Sequence, residues 1–310
     1  MGIQGIAVIG AGLMGHGIAQ VFASAGHPVS IYDREVATLE MVPARVKEIF
    51  EILEEDPAPG GNITLHEEIE TAIDGATIVI EAIAENLALK QQLFKNLEPL
   101  IDKSVILASN TSALPITDIA EFCDHKERVL GTHFWNPPHF IPLVEVVQTE
   151  YTDYKYIEQT INLLEAADLS AVHVKKDIPG FIGNRLQHAL KREAISLVAD
   201  GICDAETLDR VVKEGFGARL GVLGPLEQAD MIGLNLTLDC HKTLIQHLDR
   251  TPHEHPFLLE KIAAGEKGMV DGKGFRSWTE AEAQELRSKF NNHMAKRARE
   301  RRKNGGVTPT

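Results

Sequence analysis

The chain has 310 residues, of which 44% are hydrophobic and 25% are charged, a composition typical of a folded globular protein. This length is sufficient for two domains of ordinary size. The formal net charge of −14 argues against a nucleic-acid partner and against an anionic membrane surface. The three cysteines have neither metal-ligand nor redox spacing, which favours a reducing cytoplasm. We expect no signal peptide and no transmembrane helix.

The first predicted strand runs directly into a glycine-rich turn. Gly10, Gly12 and Gly15 form a Gly-x-Gly-x-x-Gly motif between an apolar strand and a helix, the context in which this motif binds dinucleotides. The glycines allow a tight turn, a close approach of the pyrophosphate and close helix packing. Asp33 ends the next strand, where a carboxylate accepts hydrogen bonds from the adenosine ribose and repels a 2′-phosphate. We therefore predict NAD rather than NADP, although the adjacent Arg34 could receive a 2′-phosphate.

Short segments rich in Val and Ile alternate with helical patterns up to about residue 176. The predicted strands are residues 5–9, 28–33, 77–82, 104–108, 128–134, 143–148 and 171–175. Helical patterns begin near Leu13, Val36, Leu87 and Asp153, and the acidic, then Pro/Gly-rich stretch 48–61 is predicted to form a protruding helical hairpin tip. This alternation predicts an α/β fold, a doubly wound parallel Rossmann sheet.

Beyond residue 177 the pattern becomes helical. The predicted helices cover residues 181–201, 204–214, 225–244 and 256–264. We therefore predict a Rossmann NAD-binding domain over residues 1–177 and an all-α domain over residues 178–310. The basic segment 296–303 is predicted to be a solvated helix surface, with contact to a partner subunit's acidic surface as the alternative. The Gly/Pro/Thr end after it is predicted to fray.

Two residues in neighbouring predicted strands suggest an acid–base pair. His133 ends a strand at the edge where ligands bind in such sheets, and a neutral imidazole can accept a hydroxyl proton near neutral pH. Glu145 is a charge inside an apolar strand, and a buried carboxylate requires a partner. Alone, the histidine could be a core residue and the glutamate an edge-strand residue. Together they predict a general base with an orienting acid.

Other polar runs carry weaker signals. The run from Ser109 to Ser112 follows a strand, and Asn184 begins the first helix of the predicted second domain. Either could instead supply helix caps and turns. His253 and His255 lie in a Pro-flanked loop without an evident third ligand, so we predict no metal site.

The chain resembles the L-3-hydroxyacyl-CoA dehydrogenase family along nearly its whole length. The resemblance is carried by Gly10-Ala-Gly-Leu-Met-Gly15, Glu85-Asn86 with Lys90, Ser109-Asn-Thr-Ser112, His133-Phe-Trp-Asn136-Pro, Pro142-Leu-Val-Glu145-Val, Pro179-Gly-Phe-Ile-Gly-Asn184-Arg-Leu, Gly224-Pro-Leu-Glu227 and Gly272-Lys-Gly274-Phe275. It implies reversible, NAD-dependent oxidation of an (S)-3-hydroxyacyl-CoA to a 3-oxoacyl-CoA, and thus a role in fatty acid metabolism. It also implies a homodimer formed through the helical domain.

The resemblance assigns roles to individual residues. It implies that His133 is the general base, that Glu145 orients it, and that Ser112 and Asn184 hold the substrate oxygen. The residues that it implies for the cofactor site are Gly10, Gly12, Leu13, Met14, Gly15, Asp33, Glu85, Lys90, Ser112 and Asn136.

The substrate remains open at this point. In acyl-CoA members of the family, a serine and a lysine on the hairpin after the second strand contact CoA, whereas residues 48–56 here contain neither and are strongly acidic. Relatives with this architecture oxidise CoA-free substrates such as L-gulonate, carnitine and hydroxypyridine carboxylates. A free hydroxy acid is therefore the alternative substrate, with Arg185, Arg192 or Arg219 as its anchor.

A non-catalytic dinucleotide sensor or crystallin-like protein is a further alternative, because a dehydrogenase fold does not fix function. The intact set of Ser112, His133, Glu145 and Asn184 argues against it.

Overall fold

The computed structural model describes residues 4–303 and contains two compact units. The first unit contains the residues up to 185 together with the segment that starts at residue 292, and the second unit contains residues 186–291. The predicted division at residue 177 thus differs from the boundary of the compact units, and the C-terminal segment packs with the first unit. The end that was predicted to fray lies outside the described residues.

The first unit is built on a sheet of eight strands in the order β3-β2-β1-β4-β5-β6-β7-β8. The strands are β1 (Ile6–Ile9), β2 (Val29–Tyr32), β3 (Ile63–His66), β4 (Ile78–Glu81), β5 (Ile106–Ser109), β6 (Val129–Phe134), β7 (Leu143–Val147) and β8 (Ser170–Val174). The seven predicted strands are present, and β3 was missed. It is an edge strand with two exposed residues and follows a Pro/Gly-rich segment, so it lacks the buried apolar signature of the others.

The predicted doubly wound α/β fold is confirmed, but the sheet is mixed rather than wholly parallel. Strand β7 pairs antiparallel with β6, and β8 pairs parallel with β7. The connection between Phe134 and Leu143 is too short for the helical crossover that a parallel pair requires. Strands β1 to β5 pair with one another in parallel, and β6 pairs in parallel with β5.

The α-helices of the described residues cover the sheet and form the second unit. They are α1 (Gly15–Ser24), α2 (Val36–Glu40), α3 (Val42–Leu53), α4 (Ile69–Ile73), α5 (Leu87–Leu97), α6 (Ile116–Ile119), α7 (Tyr154–Ala166), α8 (Gly183–Ala199), α9 (Ala205–Glu214), α10 (Pro225–Ile232), α11 (Leu234–Leu244), α12 (Pro256–Ala263) and α13 (Glu280–Lys303). Among the helices within residues 4–303, none combines the length and apolarity needed to cross a membrane.

Two hydrophobic clusters lie on opposite faces of the sheet. In β1, Ile6 and Val8 join one cluster and Ala7 and Ile9 join the other. Since side chains alternate along a strand, a strand that is covered on both faces must be apolar throughout. This explains the continuous Val/Ile runs in the sequence, among which a charge inside a strand, such as Glu145 in β7, is an exception.

Contrary to the prediction, the acidic segment after β2 does not form a protruding tip. Ile49 and Leu53 on α3 are buried, and they pack against Ala295 and Ala298 on α13 in a small third cluster with Phe140. The C-terminal half of α13 therefore covers the outer side of α3.

The basic segment of α13 is only in part the solvated surface that the sequence predicts, since Lys296 and Arg297 are exposed. Three of its arginines instead pair with acidic groups of the same chain: Arg299 with Glu54, Arg302 with Glu55, and Arg301 with Asp168. Arg301 also donates to the backbone carbonyl of Asp168, and this side chain is only 10% exposed. The tail thus binds its own subunit's acidic surface rather than a partner's.

The second unit has few buried residues of its own. Between residues 186 and 291, Gly274 and Ala283 are the only residues classed as buried. Large apolar side chains on its helices are exposed, including Leu226 at 80% and Leu234 at 63%. Monomeric proteins rarely expose so much contiguous apolar surface.

Candidate active site

The glycine-rich turn between β1 and α1 has the shape of a phosphate cradle. Gly10 has a φ of +107°, and a Cβ there would lie 2.6 Å from the Ala82 carbonyl oxygen. A Cβ on Gly15 would collide with the Gly10 carbonyl group, whereas a Cβ on Gly12 would meet no atom within 4 Å. Two glycines are thus required by the fold, and the third leaves open space above the backbone. The turn therefore fits the pyrophosphate of a dinucleotide.

Asp33 lies beside this turn. Its carboxylate accepts hydrogen bonds from the amides of Ala11 at 2.8 Å and Glu35 at 3.0 Å. These bonds fix the carboxylate at the end of β2 while each oxygen keeps a free lone pair for a ribose hydroxyl. Arg34, the possible 2′-phosphate ligand, is largely exposed and pairs with Glu35. Leu13 is exposed within the turn, and the half-buried Met14 packs against the core.

The predicted acid–base pair is formed across β6 and β7. His133 and Glu145 lie directly opposite each other in the antiparallel register, and both side chains are buried. The His133 Nδ1 and Glu145 Oε2 atoms are 2.8 Å apart. Because an ionised carboxylate can only accept, Nδ1 carries the hydrogen in this bond and Nε2 is left for a substrate.

The second oxygen of Glu145 holds the backbone at the start of α8. It accepts hydrogen bonds from the amides of Ile182 at 2.9 Å and Gly183 at 3.0 Å. Burial raises the pKa of Glu145, but the hydrogen bonds from His133, Gly183 and Ile182 outweigh burial and leave this pKa below its usual range. The carboxylate is therefore ionised at neutral pH and can stabilise an imidazolium.

Two aromatic rings flank the imidazole. The ring centroids of Trp135 and Phe181 lie 5.4 Å and 5.7 Å from that of His133. The Trp135 ring also packs against Gly183, where any Cβ would collide with it. The two rings and the glycine restrict the imidazole to one orientation.

Ser112 and Asn184 lie together in the first unit. The Asn184 Nδ2 atom donates to the Ser112 carbonyl oxygen at 2.8 Å. The turn that carries Ser112 is shaped by Glu85, whose Oε1 accepts from the Thr111 hydroxyl at 2.6 Å and from the Ser112 amide at 2.9 Å. Burial raises the pKa of Glu85, but Thr111, Lys90 and the amides lower it further than burial raises it. Glu85 thus holds this turn as an anion.

Glu81, which was not predicted to be a site residue, is fully buried at the end of β4. Its Oε1 lies 2.5 Å from the Lys90 ammonium, and its Oε2 accepts from the Ser109 hydroxyl at 2.5 Å. Burial raises the pKa of Glu81, against the opposing effect of Lys90. Lys90 is 1% exposed and also lies 3.3 Å from Glu85. A carboxylate inside an apolar strand, the signal used for Glu145, could have identified Glu81.

The remaining predicted residues are scattered. Asn136 is exposed after β6. Arg185 is exposed with one contact to a backbone carbonyl, Arg192 lies 3.6 Å from Asp249, and Arg219 is exposed.

His255 caps α12 by accepting from a backbone amide. Over residues 4–303, no group of three or more potential ligands could hold a metal ion.

Comparison with known proteins identifies the architecture. Residues 5–178 match the model of the 3-hydroxyacyl-CoA dehydrogenase NAD-binding domain, and residues 180–278 match that of the C-terminal domain. Curated relatives include 5-formyl-3-hydroxy-2-methylpyridine 4-carboxylate 5-dehydrogenase of Mesorhizobium japonicum, with 35% identity over 92% of this chain and 94% of the relative. The probable 3-hydroxybutyryl-CoA dehydrogenase of Bacillus subtilis has 37% identity over 90% of this chain and 99% of the relative.

A solved structure supports the same relationship. The crystal structure of a 5-formyl-3-hydroxy-2-methylpyridine 4-carboxylic acid 5-dehydrogenase, described as an NAD⁺-dependent dismutase, matches with a TM-score of 0.88 and 32% identity over 95% of this chain and 97% of that chain. The phosphate cradle beside Asp33 and the two matched domains together lead to one conclusion. The chain belongs to the 3-hydroxyacyl-CoA dehydrogenase family, and it is an NAD-dependent oxidoreductase.

Proposed function

We propose that the protein oxidises the hydroxyl group of a hydroxy carboxylate that does not carry CoA. The observation that carries this proposal is the covered, acidic α3 segment. Acyl-CoA members of the family are expected to hold CoA through a serine and a lysine on this hairpin. In this chain residues 48–56 contain neither a serine nor a lysine, and α13 packs on α3 through Ala295 and Ala298. Glu51, Glu54 and Glu55 would face the phosphates of CoA with like charge.

Charge pairing on this surface favours the same substrate class. Glu54 and Glu55 are bound by arginines of α13, and Glu51 lies 3.7 Å from Lys47. Lys47, Arg299 and Arg302 are therefore already engaged by carboxylates and would have to leave them to bind a phosphate. The relative and the solved structure are named for a pyridine carboxylate that carries no CoA, which supports a CoA-free carboxylate, although position 5 of that compound carries a formyl group rather than a hydroxyl group.

The chemistry assigned to the site uses this chain's own residues. Nε2 of His133 removes the substrate hydroxyl proton as the carbonyl group forms, and the ionised Glu145 stabilises the imidazolium. Ser112 and Asn184 hold the reacting oxygen. NAD, held by the glycine-rich turn and Asp33, supplies the hydride acceptor when it is bound.

The test compares substrates under one set of conditions. NADH formation by the purified protein is followed with L-3-hydroxybutyryl-CoA and with free L-3-hydroxy acids, L-carnitine and L-gulonate. The His133→Gln variant provides the background rate. We expect turnover of at least one free acid and none of the thioester, and turnover of the thioester alone would overturn the proposal.

The second candidate is oxidation of an (S)-3-hydroxyacyl-CoA, which would place the protein in fatty acid metabolism. It is favoured by Ser112 and Asn184, which match the acyl-CoA members of the family, and by the relative named as a probable 3-hydroxybutyryl-CoA dehydrogenase. The same assay distinguishes the two candidates.

We further propose that the protein is a cytoplasmic homodimer. The exposed apolar helices of the second unit need a covering surface, and a second copy of the same unit would supply one. Cys123, Cys203 and Cys240 are all free, which is the state expected in a reducing compartment.

A further inference from the structure

A half-buried arginine on α3 lies beside the glycine-rich turn. The Arg45 Nη1 atom is 3.4 Å from the Ala11 carbonyl oxygen, and its Nη2 atom is 3.7 Å from the Met41 sulfur. Over residues 4–303, no carboxylate oxygen lies within 4.0 Å of this guanidinium. An arginine whose contacts are a carbonyl and a thioether retains donors for an anionic ligand.

The start of α1 also lacks a protein anion. No side chain caps this helix, and its first turn contains no acidic residue. The positive end of the helix dipole and its free amides therefore point into the open space above Gly12. Arg45 approaches the same turn from a different helix through Ala11, which precedes Gly12.

A histidine near Arg45 contacts the same turn. The His16 Nδ1 atom lies 2.6 Å from the Gly12 carbonyl oxygen and carries the hydrogen of that bond. The pKa of His16 is lowered, chiefly by burial and also by the charge of Arg45. The hydrogen bond to Gly12 and the charge of Glu48 act in the opposite direction but do not cancel this effect. His16 is thus more readily neutral than a free histidine, whereas Arg45 contacts the turn with a full positive charge.

We propose that Arg45 binds the pyrophosphate of NAD across the glycine-rich turn, so that α3 as well as α1 recognises the cofactor. A guanidinium suits this role because it remains charged and offers paired donors to phosphate oxygens. A 2′-phosphate is the less favourable partner, since Asp33 lies beside the same turn and would repel it.

The test measures the binding of NADH and ADP-ribose to the purified protein by calorimetry, and that of NADH also by its fluorescence. Arg45→Gln should weaken the binding of both NADH and ADP-ribose by about tenfold or more, the loss expected for a charge-assisted hydrogen bond. It should also reduce the dependence of affinity on salt. Arg45→Lys should restore part of the affinity. Lys47→Gln, two residues along the same helix and mostly exposed, is the matched control and should bind as the wild type does.

Three outcomes would overturn the proposal. The first is an unchanged affinity of Arg45→Gln for NADH and ADP-ribose. The second is a loss that is confined to NADPH when NADPH is titrated alongside NADH, which would assign the guanidinium to a 2′-phosphate. The third is an equal loss in Arg45→Gln and Lys47→Gln, which would point to a general effect on α3. Thermal unfolding of each variant verifies that weakened binding is not a consequence of unfolding.

Discussion

The His133–Glu145 pair owes its geometry to strand register. The two residues are directly opposite in an antiparallel pair, and the backbone at the start of α8 fixes the far oxygen of the carboxylate. The imidazole therefore cannot rotate without breaking a buried charge-assisted hydrogen bond. Such a pair is suited to proton transfer because one tautomer is held in place before a substrate binds.

Removing either member of this pair should lower turnover and leave cofactor binding intact. We expect His133→Gln to reduce kcat by at least ~10², because the variant lacks the proposed general base. Glu145→Gln should also reduce kcat, since its amide can donate to Nδ1 and favour the other tautomer. Steady-state rates and NADH titrations check this expectation. A wild-type rate in either variant would remove that residue from the mechanism.

His139 should make stability depend on pH. Burial lowers its pKa to about 4, and its Nδ1 atom has no hydrogen-bond partner within the described residues. Because its folded-state pKa lies below that of an unfolded histidine, the unfolded state binds more protons between about pH 6.5 and about pH 4. Stability from this group is therefore present above that window and is lost as the pH falls through it.

The expected loss from His139 is roughly 3 kcal/mol across the window. Denaturant unfolding at the two ends should show a smaller loss in His139→Gln than in the wild type. The exposed His253→Gln is the control and should follow the wild type. Equal pH dependence in all three proteins would mean that His139 titrates normally in the folded state.

At the scale of secondary-structure elements, the C-terminal half of α13 is bound to the first unit by arginines. Asp168 has a positive φ of 60° and follows the end of α7. Carbonyl groups at the end of a helix receive no hydrogen bond from a further helical turn, and the Asp168 carbonyl is in this position. Arg301 binds this carbonyl together with the Asp168 carboxylate. The arginine therefore caps a helix as well as forming an ion pair.

Arg301→Gln should lower the free energy of unfolding by about 1–2 kcal/mol, because a mostly buried donor and its acceptors lose their bonds. The control is Lys296→Gln on the same helix, since Lys296 is 72% exposed and its pair with Glu300 is a surface pair. Denaturant midpoints check the difference. Equal effects of the two substitutions would contradict a capping role for Arg301.

Periodic and local features of this chain could be predicted from the sequence. Strands covered on both faces repeat apolar residues, and the glycine motif needs only a strand before it and a helix after it. The pairing of Arg299 with Glu54 joins residues far apart in the chain and leaves no periodic trace. The same is true of β3, whose exposed edge residues resemble a loop, and of the docking of α13 on α3.

At the scale of the whole molecule, the second unit should associate with a second copy. The chain has a mass of 34.1 kDa, and light scattering after gel filtration should give about twice this value. Replacing an exposed apolar residue of α10 or α11, as in Leu226→Asp or Leu234→Asp, should shift the protein towards the monomer. Leu100→Asp, an exposed leucine of the first unit, is the control. A monomeric wild type would refute the dimer.

The return of α13 to the first unit has a consequence for synthesis on the ribosome. In chain order, the second unit is an insertion between residue 185 and residue 292 of the first. Domains generally fold from the N-terminus as they emerge, yet here α3 and Asp168 are made long before Arg299 and Arg301. The acidic surface of the first unit therefore stays uncovered until residues 299–302 have been translated.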